Sequence, residues 1–220
     1  MIPTRFHRSA AAAALLCAAV GGLAGCAPLM LGGAMVGGGM VATDRRTTGT
    51  QIEDESIELK ASSRVSDLAT LGHINITSYN RLVLLTGEVP GEAEKVAAEK
   101  AVLQVENVRS VVNELALGNN SPMGSRSLDT VITGKVKATF LDAKDMQVNA
   151  YKVVTERGIV YLMGRVTERE ATRGADLVSS ISGVQKVVRV FDILTEGELA
   201  ALGRASAATP APNAASGASK

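Results

Sequence analysis

The chain has 220 residues, 46% of them hydrophobic and 20% charged, with a formal net charge of +1. That length holds one ordinary domain or two small ones; the balanced charge excludes a strongly basic nucleic-acid binder, and the charged fraction excludes a wholly membrane-embedded protein. Aromatic residues make up only 3% and Trp is absent, so a stacking platform for bases or sugars is not expected.

Arg5, His7 and Arg8 open the chain with a short basic stretch, residues 10–20 are small and apolar, and Leu23-Ala24-Gly25-Cys26 follows. A basic start, an apolar middle and small residues at a cleavage point make residues 1–25 an export signal; a spanning helix needs about 20 strongly apolar residues. The residues leading into Cys26 resemble the lipobox of bacterial lipoproteins. The resemblance implies cleavage ahead of Cys26, a diacylglycerol on its sulfur and an N-acyl chain on the new terminus. That covalent lipid is the only cofactor expected. Two or three acyl chains on one residue meet the requirement for durable anchoring. Ala27 stands where Asp would signal inner-membrane retention, which by similarity to enterobacterial sorting rules implies an outer-membrane, periplasm-facing location.

With Cys17 and His7 lost in the signal and Cys26 acylated, the mature chain keeps neither a free thiol nor a disulfide, and His73 is its one histidine. This excludes a Cys–His nucleophile or a zinc site of several His and Cys ligands, and all but excludes a Ser–His–Asp triad. His73 reads as a loop histidine ahead of a strand, and no metal is expected. Residues 26–50 read as a lipidated flexible tether, since nine of the 22 glycines fall within the first 50 residues. Residues 204–220 (RASAATPAPNAASGASK) read as a disordered tail, because they lack large apolar side chains.

Between tether and tail lies an internal repeat. LVLLTGEVPGEAEKVAAEKAVLQVENVRSVVNEL (82–115) aligns with IVYLMGRVTEREATRGADLVSSISGVQKVVRVFDIL (159–194), so that Gly87 matches Gly164. This gives units at 51–118 and 127–196 joined by a linker at 119–126. Residues 74–78 and 82–86 are short, β-branched segments around Tyr79-Asn80-Arg81, which predicts a hairpin. In the second unit Glu156-Arg157-Gly158 makes that turn, with Gly158 supplying positive φ. Residues 91–104 carry helical spacing after Pro90 and Gly91, and residues 108–117 and 184–194 read as closing strands. Gly87 and Gly164, inside strands, mark a bulge or a close backbone approach.

The order helix, strand, strand, helix, strand, with G-x-V after the hairpin and V-x-x-V in the closing strand, resembles the BON domain. VYLMGRVTEREA (160–171) and ATDRRTTGTQIEDE (42–55) are similar to segments of dual-BON outer-membrane lipoproteins. The fold class expected is α+β: two tandem BON-type units, each a small mixed three-stranded sheet bearing two helices. Units this small bury a thin core and are expected to pack together.

No catalytic constellation is present, and a non-enzyme is expected. Glu53, Asp54, Glu55 and Glu58, then Glu92, Glu94 and Glu99, read as solvated helix faces. Glu168, Arg169, Glu170 and Arg173 read as ion pairs along one helix. The glycine-rich GGAMVGGG lies in the tether, with no strand before it for a phosphate loop.

Charge separates the two units. Residues 51–125 carry six basic and eleven acidic groups, whereas 126–200 carry eleven and ten. In the second unit's first helix Leu128, Ile132, Val136 and Phe140 form one i, i+4 row. Val131, Ala138 and Leu141 widen the apolar arc, and Lys135 falls near its middle, where it can snorkel towards a phosphate. The resemblance implies that this helix binds anionic phospholipid, notably phosphatidylglycerol, in support of outer-membrane integrity. It implies lipid contact through Val131, Lys135, Lys137, Ala138, Phe140 and Leu141. Val131 stands where an enterobacterial relative has an interface-seeking Trp. The expected partner is thus an anionic membrane, with no nucleic acid and no small-molecule substrate. The alternative is an adaptor whose acidic first unit docks an envelope protein such as the outer-membrane assembly machinery, with only the acyl anchor touching lipid.

Overall fold

The computed structural model describes residues 44–69, 72–119 and 122–208. The signal, Cys26, the tether before residue 44 and residues 209–220 lie outside the described residues. The first unit runs α1 (Thr48–Val65), a 3-10 turn (Ser66–Ala69), β1 (His73–Tyr79), β2 (Leu82–Val89), α2 (Glu92–Leu103), β3 (Ser110–Asn113) and β4 (Ala116–Leu117). The second runs α3 (Met123–Asp142), a 3-10 turn (Val148–Ala150), β5 (Tyr151–Glu156), β6 (Ile159–Thr167), α4 (Glu168–Ser179) and β7 (Lys186–Leu194). A further helix, α5 (Glu196–Ala208), follows. Among the described residues no helix is long and apolar enough to cross a membrane.

Each sheet has the hairpin's second strand at its centre. β2 pairs antiparallel with β1 and parallel with β3 and β4; β6 pairs antiparallel with β5 and parallel with β7. The parallel pairings need crossover helices, which are α2 and α4. Period-two alternation then sorts the side chains. On β2, Val83, Leu85 and Val89 meet Ile57, Ala61 and Val65 of α1 and Ala98 and Val102 of α2. On β6, Val160, Leu162 and Val166 meet Ile132, Val136 and Phe140 of α3 and Ala171 and Val178 of α4. The opposite faces join in a third cluster of Tyr79, Leu84, Tyr161, Met163 and Val190. The two sheets therefore pack on each other, which is why both central strands are buried nearly from end to end.

Both hairpins turn on two residues of positive φ, Asn80 (52°) with Arg81 (65°) and Arg157 (55°) with Gly158 (73°), the type I′ pattern that matches strand twist. Gly87 and Gly164 share a steric constraint. A Cβ at Gly87 would lie 2.2 Å from the His73 carbonyl oxygen, and one at Gly164 would lie 2.3 Å from that of Ala150. Gly87 alone also has positive φ, and its closing strand is interrupted at residues 114–115, whereas β7 runs unbroken.

Several boundaries and roles differ from the expectations. The tether does not extend to residue 50: Arg46 bonds to Asp44 and Asp54, and the Thr47 hydroxyl caps α1 by accepting from the Thr50 N–H. The linker is shortened because α3 begins at Met123. The tail is helical through Ala208, started by a reciprocal cap in which Glu198 accepts from Thr195 N–H and Thr195 from Glu198 N–H. Asp54 is not on a solvated face but is buried. His73 is the first residue of β1, set between two carboxylates. The charges of α4 do not pair along the helix. Arg169 reaches Glu196, Arg173 reaches Asp145 and Glu168 reaches Arg189, while Glu170 joins Thr167 in a capping box and receives Arg45.

Polar contacts bind the units at the seam. Arg45 donates two bonds of 2.7 Å to the Glu170 carboxylate and one to the Arg165 carbonyl, while Arg46 lies 4.1 Å above the Tyr79 ring. The segment leading into α1 is thus held by both units at once. Lys152 donates to Glu58 at 2.8 Å, and the Asn80 amide donates to Asp192 at 2.7 Å. The guanidinium of Arg45 holds the Glu170 carboxyl below the usual carboxylate range.

Candidate membrane-facing surface

Helix α3 has a committed inner face. Ile132, Val136 and Phe140, spaced i, i+4, are buried against the second sheet, and the Asp129 carboxylate accepts the backbone N–H groups of Arg157 (2.8 Å) and Gly158 (2.7 Å). The helix is therefore fixed over the β5–β6 turn. Phe140 is a correction to the lipid-contact set: it is 1% exposed, with its ring centroid 5.0 Å from that of Tyr151. Leu128 departs from the predicted row in the opposite sense. It is 65% exposed, because Asp129 takes the inward position in that turn.

The outer face carries the other candidates. Val131 is 54% exposed and Leu141 71%, and Lys135, Lys137 and Ala138 are exposed as well. Leu128, Val131, Lys135 and Ala138 follow 3, 4, 3 spacing and lie along one stripe; Lys137 and Leu141 form the adjoining row. Val131 and Leu141 are about 15 Å apart along the axis, so the feature is a surface and not a pocket. Lys135 belongs to this stripe and not to the core arc; its ammonium donates to the Ser182 carbonyl at 3.1 Å while the side chain stays exposed.

At the amino-terminal end of the stripe a cleft of about 650 Å³ opens between the units, lined by Leu117, Leu128, Val131, Lys135 and Arg157. Leu117, from β4 of the first unit, is 54% exposed there. Sequence reasoning missed Leu117 and misassigned Leu128. The signal available for Leu128 was the Asp beside it, since Asp54 and Asp129 stand at matching points of the two repeats. Gly158 holds the turn beneath the cleft, and Gly87 and Gly164 lie within the sheets. Cys26 lies outside the described residues.

Two stretches, residues 53–119 and 128–195, match the family model described as BON domain. The "Outer membrane lipoprotein DolP" of Haemophilus influenzae is 41% identical over 176 residues, covering 78% of this chain and 90% of the relative. The "21 kDa hemolysin" of Actinobacillus pleuropneumoniae is 32% identical over 152 residues, 68% of this chain and 78% of that protein. The "Osmotically-inducible protein Y" of Escherichia coli is 25% identical over 155 residues, 68% and 77% respectively.

Proposed function

The chain belongs to the BON-domain family, with two such domains in tandem, and from that premise we propose that it is an outer-membrane lipoprotein facing the periplasm. In this reading acylated Cys26 supplies the anchor, and the second domain lays the outer face of α3 on anionic phospholipid, in support of outer-membrane integrity. The role is one of binding, without catalysis. The similarity to an outer-membrane lipoprotein over 90% of that relative's length supports the location.

One observation carries the lipid contact. Helix α3 buries a complete apolar face in its own domain and still exposes Leu128, Val131 and Leu141 beside Lys135 and Lys137. Each apolar side chain moved out of water contributes about 1.5–3 kcal/mol, against about 1 kcal/mol for each lysine near an anionic surface. The apolar residues therefore set affinity, and the lysines set its dependence on lipid charge and salt.

The test uses the Cys26→Ser chain, so that acyl chains do not confound binding, with vesicles of phosphatidylcholine alone or mixed with phosphatidylglycerol. The reading expects binding to the anionic vesicles that weakens with salt, and a Lys135→Glu, Lys137→Glu variant that binds less and loses most of that salt dependence. Equal binding to both vesicle types would contradict it. The adaptor reading rests on a separate feature: α1 of the first domain exposes Ile52 and Leu59 beside Glu55. An envelope protein partner, such as outer-membrane assembly machinery, would dock there.

A further inference from the structure

We propose that His73, Glu88 and Glu156 form a site for one divalent transition-metal ion of the zinc class, bridging the two BON domains. The residues come from three strands and both sheets. His73 and Glu88 are directly opposed in the β1–β2 ladder, so their side chains leave the same face of the first sheet. Glu156 is the last residue of β5 in the second domain. The three meet at one end of the seam, with ligand atoms of all three within 4.8 Å of one another.

The His73 imidazole lies between the two carboxylates. Its Nδ1 lies 2.7 Å from Glu88 Oε2, and its Nε2 lies 3.4 Å from Glu156 Oε2. Nδ1 is buried, yet it forms no hydrogen bond despite the close oxygen. Bonds of about 2.0–2.2 Å to a tetrahedral ion place neighbouring donors roughly 3.4 Å apart, a spacing that the three ligand atoms, all within 4.8 Å of one another, reach by small shifts. A metal takes one ring nitrogen, and Nδ1 is the one beside the buried carboxylate. The Glu156 carboxylate then has only to move towards Glu88.

The donor set selects the class of ion. One imidazole with two carboxylates suits zinc or a similar borderline ion, whereas magnesium and calcium favour oxygen-only shells. The Glu88 side chain is 3% exposed, which places one carboxylate of the set inside the protein. Asp129, close by, is committed to the turn N–H groups. A polar cleft of about 340 Å³, lined by Asn75, Thr130, Thr133 and Thr155, gives access to His73 and Glu156. The sequence predicts no metal, because a single histidine carries no ligand pattern until the repeats dock.

The experiment titrates the full chain in detergent, after chelation, with Zn²⁺ or Mg²⁺, following heat of binding and thermal unfolding. The parent is expected to bind one Zn²⁺ more than His73→Gln, with at least a tenfold loss of affinity in Glu156→Gln. Zn²⁺ is expected to raise the parent's melting temperature and not that of the variants, and Mg²⁺ to leave all three unchanged. Any binding common to all three proteins cancels in the difference. Should His73→Gln fail to fold by circular dichroism, visible absorption of the Co²⁺-loaded parent against Glu156→Gln decides. Equal Zn²⁺ uptake in parent and variants overturns the proposal. So does a parent indifferent to Zn²⁺ whose stability follows only histidine protonation, which would make the cluster an imidazolium bridge.

Discussion

Asp54 and Asp129 hold the same post in the two domains: each sits on the first helix and accepts two consecutive backbone N–H groups from the tip of its hairpin. Asp54 takes those of Asn80 and Arg81, both at 2.8 Å, and Asp129 those of Arg157 and Gly158. The turn residues have positive φ, a conformation costly for Asn80, Arg81 and Arg157, and the carboxylate offsets that cost by satisfying both exposed donors. Asp54 also accepts from the Ser78 hydroxyl and from Arg46. It thereby ties the segment ahead of α1 to the hairpin.

Asp129→Asn removes one charge-assisted acceptor and turns an amide NH₂ towards a donor, and is expected to cost about 1.5–3 kcal/mol per bond disturbed. Asp54→Asn is expected to cost more, because four donors converge on it inside the protein. Urea unfolding followed by circular dichroism measures both. A midpoint unchanged in either variant would show that the turn holds itself.

Acid should act through the same residue. Burial alone would raise the Asp54 carboxyl, but the Arg81 N–H, the Ser78 hydroxyl, Arg46 and the Asn80 N–H outweigh it and hold the group below the usual carboxylate range. Glu170 is likewise held low, chiefly by Arg45. A depressed carboxyl contributes stability that is full above its unfolded pKa of about 4 and is lost as pH falls through the folded value. The melting temperature is therefore expected to fall below about pH 4, and to fall less steeply in Asp54→Asn. Parallel acid limbs in parent and variant would refute this.

Gly164→Val places a Cβ 2.3 Å from the Ala150 carbonyl oxygen, backbone directly ahead of the Tyr151–Gly164 pair that starts the β5–β6 ladder. A loss of about 3 kcal/mol or more in urea unfolding is expected. Gly134→Ala is the control. It lies within α3 with open space where its Cβ would stand, so it should stabilise by about 0.5–1 kcal/mol.

Cys26→Ser should release the protein into the soluble periplasmic fraction, since a single α3 surface is a weak membrane contact beside two or three acyl chains. Cell fractionation checks this. A variant still wholly in the outer-membrane fraction would mean that acylation is not the anchor.

The repeat was legible because it preserves what the backbone demands: Gly87 and Gly164 at one tight approach, and apolar alternation along β2 and β6. The orientation of α3 was less so. Periodicity shows that Leu128 to Phe140 form an arc, but not where that arc ends. The turn's need for Asp129 rotates Leu128 outward, while Phe140 settles against Tyr151. The leading segment is not legible in the sequence because glycine and threonine around Arg45 and Arg46 look like tether, while Glu170 is distant in the chain and Asp54 sits in an acidic run that reads as a solvated face. In the tail, alanine-rich composition obscured a Thr195-x-x-Glu198 cap that was present in the sequence. His73 gave no signal, since its neighbours Glu88 and Glu156 become neighbours only when the two domains meet.

If the outer face of α3 meets lipid, Leu128→Glu with Val131→Glu will show it without touching the core, since both side chains are exposed. The measurement is flotation with phosphatidylglycerol-containing vesicles, using the Cys26→Ser chain with and without the two substitutions. The double variant is expected to keep the parent's circular dichroism and to lose at least about tenfold in vesicle binding, as removal of two inserted apolar groups requires. A folded double variant that floats with anionic vesicles as fully as the parent would contradict it.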